Sequence, residues 1–214
     1  MELDFKKDQI SCFQLASVVV DIFDRYDIQN PIKKAEQDRW SKYVFTAQIY
    51  EVIEGTVIPY WKKFIRSGEN KQSVIRFLGD YIGKHINQNS SLQEGQSLYL
   101  AGLFFNPETV KMLNENGMLD CSCLVSTQEE ADTRIILHAL YSEKLYQENN
   151  IQDRIVVKSP NTDVLVRLIH YFHKMKNTSE LWFQTGLITS TKDCRRYIPV
   201  HELCKSLNSV VCEI

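Results

Sequence analysis

Three acidic groups in this chain have the residue types that phosphate chemistry on divalent cations uses. They are Asp24 after "ASVVVDIF", the cluster Glu129, Glu130 and Asp132 in "STQEEADTRIILHA", and Asp163 in "KSPNTDVLV". Carboxylate oxygens are hard donors suited to Mg2+ or Mn2+, and clustered carboxylates repel unless something positive sits among them. Two such ions about 4 Å apart can activate a water and stabilise the leaving oxygen in phosphodiester hydrolysis. Each acid also has an ordinary explanation. Ser126 with Glu129 and Thr127 with Glu130 match the S/T-x-x-E capping box, and acids favour the first turn of a helix. Asp163 could open its own helix, and Asp24 could hold a turn.

The elements that would position these acids follow from hydrophobic period. Ala16 to Phe23 is β-branched and reads as a buried strand ending at Asp24. From Pro31 to about Ile86 the apolar spacing is helical, broken by Gly55 and "RSGENKQ", so 31–95 is expected as a helical insert. "SLYLAGLFF" and "CSCLVS" read as strands, followed by a helix from about Gln128 to Gln147. The strand Ile155 to Lys158, a helix from Thr162 to Lys176, the strand "ELWFQT" and a last helix in "IPVHELCKSL" complete the chain. Strands alternating with helices predict an α/β fold, a mostly parallel central sheet with helices on both faces. Ligands gather beyond the carboxyl ends of such strands, so the three acidic positions are expected on one edge of a single sheet.

The motifs resemble a known family. "EEADTRI" followed by a strand and "SPNTDVLV" is similar to the internal motif pair of the flap-endonuclease-like branch of the PIN nuclease superfamily, and "VVDIFDRYDIQNPIKKAEQDRW" is similar to that branch's strand ending in Phe-Asp with the Lys and E-x-x-R helix behind it. "LWFQTG" and "RRYIPVHEL" further resemble members of a multicopy animal family that carry this domain. The resemblance covers roughly residues 16 to 200 and implies a PIN-like, Rossmann-like three-layer fold. It implies metal and catalytic roles for Asp24, Glu130, Asp132 and Asp163; Glu129 beside them is an outer-shell or alternative ligand. Asn161 stands where the family has the first acid of acid-x-acid, which keeps an oxygen donor but removes a negative charge. The family also places a strand with an Asp ahead of the Asp24 strand and an acidic motif after the last helix. The chain is therefore expected as one PIN-like domain over 1–214, shortened at both ends. The implied activity is divalent-metal-dependent hydrolysis of nucleic acid, DNA or RNA; the rival is a non-catalytic binding or scaffold module on the same fold. Lys33, Lys34 and Arg39 after the Asp24 turn would hold phosphates, although a solvated helix face explains them equally.

Composition narrows the remaining classes. Apolar and charged fractions of 43% and 24% are those of a soluble globular protein. No segment approaches the ~20 apolar residues of a spanning helix and the acidic start lacks a signal-peptide core, so the expectation is an intracellular protein, nucleus and cytoplasm not separated. A net charge of −2 provides no global basic field for nucleic acid. The six cysteines are scattered, and "CSC" lacks C-x-x-C zinc spacing. His138 is expected in the core, and His201-Glu202 lacks the second His of a zinc helix.

Overall fold

In a computed structural model, residues 17–23, 48–89, 92–128, 130–188 and 192–207 are described. Strand β1, Val18–Ile22, is followed by the one-turn helix α1, Trp61–Phe64, and the long helix α2, Gly68–Asn89. Residues 48–60 run without helix, so within the expected insert the described helix begins only at Trp61. β2, Ser97–Ala101, β3, Val110–Asn114, and β4, Gly117–Asp120, complete a sheet in the order β1-β2-β3-β4. β1 pairs with β2 in parallel, while the β2/β3 and β3/β4 pairs are antiparallel. The hairpin explains the last of these: Asn114 pairs with Gly117 across two residues, and so short a loop can join only antiparallel strands. Gly117 takes φ 120°, which a side chain would resist.

This sheet buries Leu98, Leu100 and Leu113 completely, against Ile75, Leu78 and Ile82 of α2. Gly79 lets α2 approach closely, since a Cβ there would stand 2.4 Å from the Leu103 carbonyl oxygen. A smaller cluster of Val52, Phe64 and Val74 closes over α1. Its buried Asn70 ties three loop and helix groups together, donating to the Gln48 and Phe64 carbonyls and accepting from Tyr50 N–H.

The second part of the chain starts with α3, Ala131–Asn149, then β5, Asp153–Lys158, and α4, Thr162–Tyr171. β6, Thr178–Thr185, β7, Arg196–Pro199, and α5, Val200–Ser206, follow. β5 and β6 are parallel, joined through α4, and β7 returns antiparallel to β6. Val164 and Leu168, one turn apart on α4, are fully buried with Leu181, Phe183 and Val200. Glu143 of α3 reaches the start of β6, accepting from Asn177 N–H and Thr178 Oγ1, both at 2.7 Å.

The chain thus divides into two compact units, Met1–Ala131 and Asp132–Ile214. The α/β expectation holds, but the strands form two mixed sheets, one four-stranded and one three-stranded, where a single mostly parallel sheet was expected. Three of the five pairings are antiparallel because hairpin connections, invisible to a count of strand and helix alternation, set them. "CSCLVS" is not a strand: Ser122–Leu124 form a 3-10 turn pinned by buried Leu124. Among the described residues no helix is long and apolar enough to cross a membrane.

Candidate functional site

β5 ends at Lys158, and Ser159-Pro160-Asn161 turns the chain into α4. Ser159 N–H donates to the Gln184 carbonyl at 3.1 Å, continuing the parallel pairing for one residue beyond the strand. Its hydroxyl then accepts from Asn161 N–H at 3.1 Å. Asn161 takes extended backbone angles at the N-cap of α4, and its Oδ1 accepts from Asp163 N–H at 3.0 Å, as a short polar side chain does at a helix start. Asp163 lies in the first turn of α4, exposed, where the partial positive charge of the helix end favours a carboxylate.

The second motif meets this corner directly. Asp132 lies in the first turn of α3, and Asn161 Nδ2 donates to Asp132 Oδ2 across a short 2.5 Å contact. Positions 29 apart in sequence, belonging to two of the three motifs, are therefore neighbours. Glu130 is half-buried and precedes the first helical residue of α3, so it is not the third helical residue that a Thr127 capping box requires. Ser126 Oγ instead accepts from Gln128 N–H at 3.2 Å, a local turn. Asp24, Glu129, Lys33, Lys34 and Arg39 lie outside the described residues. The strands that precede Asp24 and Asp163 belong to different sheets, which corrects the expectation of one shared sheet edge.

The amide orientation decides what this corner holds. Asn161 has one oxygen, engaged at the helix cap, and an NH2 group directed at the Asp132 carboxylate. That NH2 is a hydrogen-bond donor to an ionisable carboxylate, so it sets a partial positive charge against Asp132. Turning the amide over would bring Oδ1 to Asp132 at the cost of the cap. As arranged, Asn161 turns its amide oxygen to the helix cap and only its NH2 to Asp132, which is not the oxygen-donor set that a tightly held pair of ions needs. Among the described residues no group of three or more His, Cys, Asp or Glu converges as a metal ion needs.

Other side chains with chemical potential are engaged in structure. His201 is buried, with Nδ1 3.0 Å from the Leu181 carbonyl oxygen and its ring edge-on to Trp182. His173 Nδ1 bonds the His170 carbonyl at 2.7 Å. Arg195 forks onto Asp193, holding that carboxyl down at about 2, so its charge is committed beside Cys194. Trp61 stacks on buried Phe64 with centroids 5.7 Å apart. Two features had no counterpart in the sequence expectations: the Glu143 bridge and a close pair of thiols at Cys121 and Cys123. Compared with protein family models, curated proteins and solved structures, the chain matches none.

Proposed function

We propose that this chain carries a PIN-like, nuclease-type acidic site acting on phosphodiester bonds of nucleic acid, with cation affinity reduced by Asn161. The observation that supports this reading is the contact between Asp132 and Asn161, which joins two of the motif positions at one corner. A cation bound there would be Mg2+ or Mn2+, supplying charge stabilisation to a phosphate and a more acidic bound water. Asp132 is the residue that would hold it, with Asp163 and Asp24 as the remaining acids of the motif set and Glu130 and Glu129 beside Asp132 in sequence. Asn161 sets the Asp132 carboxylate in one orientation while capping α4, and Lys33, Lys34 and Arg39 would steady the nucleic-acid backbone.

The second reading is a binding module that has lost catalysis, and the NH2 of Asn161 on Asp132 favours it. Titration of the folded chain with MnCl2 by calorimetry separates the two, with Asp132→Asn as control. Saturating heat in the low-millimolar range that disappears in Asp132→Asn supports the nuclease-type reading, and cleavage of flap and single-stranded substrates should then depend on Mn2+. A folded chain that takes up no Mn2+ is a binding module.

A further inference from the structure

Cys121 and Cys123 flank the 3-10 turn that follows β4. Cys121 N–H donates to the Val110 carbonyl at 2.8 Å, extending the antiparallel pairing to the last residue before the turn. Its carbonyl accepts from Leu124 N–H at 3.2 Å, and the Ser122 carbonyl accepts from Val125 N–H at 3.3 Å. Leu124 is 1% exposed and anchors the turn in the protein interior. This winding brings Cys121 Sγ and Cys123 Sγ to 3.5 Å. Neither is in a disulfide; Cys123 is exposed and Cys121 half-buried.

We propose that Cys121 and Cys123 form a dithiol site for thiol–disulfide exchange with low-molecular-weight disulfides. Cα atoms two residues apart in a tight turn are roughly 5 to 6 Å from each other, within the span a disulfide bridges, so closure needs side-chain rotation and little backbone movement. Cys123 is the attacking sulfur because it is the exposed one. Its thiolate displaces one thiolate from a disulfide RSSR, and the departing sulfur takes up a proton. Cys121 then attacks the Cys123 sulfur, the mixed disulfide breaks, and the second RS− leaves and is protonated. The protein dithiol loses two protons and two electrons, and RSSR gains them to become two RSH. The second step is intramolecular, with the resolving sulfur already beside the first, which favours it over attack by another small thiol. The site lies in the unit Met1–Ala131 and does not depend on the cation-site reading.

The test uses the full folded chain and oxidised glutathione. After exposure, acid quench and alkylation, trypsin releases Met112–Arg134, a peptide that holds Cys121 and Cys123 and no other cysteine. The expected peptide is two hydrogens lighter and takes up no alkyl group, and dithiothreitol restores two alkylated sites. In Cys121→Ser the same peptide should instead keep one glutathionyl adduct, at a level on the order of tenfold above that in the wild type. A wild-type peptide with two alkylatable thiols, or with adducts that persist, overturns the proposal, and this arm needs no variant to fold.

Discussion

His138 makes the folding of the second unit pH-dependent. It sits on α3, 4% exposed, and Nε2 is buried without a hydrogen-bond partner among the described residues. Burial first, and then the charge of Arg134 one turn away, lower its pKa from 6.5 to about 4. Between those values the unfolded chain binds a proton that the folded chain refuses. Stability is therefore full above pH 6.5 and is lost as pH falls towards 4. At ~1.4 kcal/mol for each unit of that gap the complete loss is about 3 kcal/mol, and about 2 kcal/mol of it has gone by pH 5. His138→Leu removes both the titrating group and the orphaned nitrogen. Urea unfolding followed by fluorescence of Trp182, which lies in the same unit, should show wild type losing about 2 kcal/mol more than the variant between pH 7 and pH 5. At pH 7 the variant should be within about 1 kcal/mol of wild type, because deleting an unsatisfied buried polar group offsets the lost fit. Equal pH slopes for the two proteins, or an NMR titration of His138 centred above pH 6, would refute the reasoning.

Asn161→Asp should cost about 2 kcal/mol in the absence of divalent cations, since a donor to Asp132 becomes a second carboxylate facing it, and millimolar Mn2+ should recover the loss in thermal melts. A melt indifferent to Mn2+ in that variant would count against a cation at this corner. Glu143→Ala leaves Asn177 N–H and Thr178 Oγ1 without their shared acceptor and should lower stability by about 2 to 3 kcal/mol in chemical denaturation. Gly186→Ala should cost at least about 2 kcal/mol, because φ is +83° and the new Cβ would stand 2.2 Å from the Cys194 carbonyl oxygen; denaturation at two wavelengths will place the loss in the second unit.

Legibility followed the range of the forces involved. β5, β6 and α5 lie close to their expected spans, and α4 starts at Thr162 as expected but ends at Tyr171, short of Lys176, because period and capping act within a few residues: Val164 and Leu168 share a face, and Asn161 is of a type favoured at helix N-caps. The β3–β4 hairpin carried a local signal too, Asn116-Gly117 between short apolar runs, which strand and helix alternation does not register. "CSCLVS" misled because apolar residues in a short run do not distinguish a strand from a turn anchored by one buried side chain, here Leu124.

By itself the sequence determined the α/β class, the helix starts at 131 and 162 to within a few residues, and the residue types available at the acidic corner. Only the tertiary structure decided which strands pair, that Asp132 and Asn161 touch, that an amide NH2 faces the carboxylate, and that two thiols lie 3.5 Å apart. The physical reason is that side-chain type and period are properties of neighbouring residues. Partners 29 positions apart, and the orientation of an amide between a helix cap and a carboxylate, are set by the packing of whole elements.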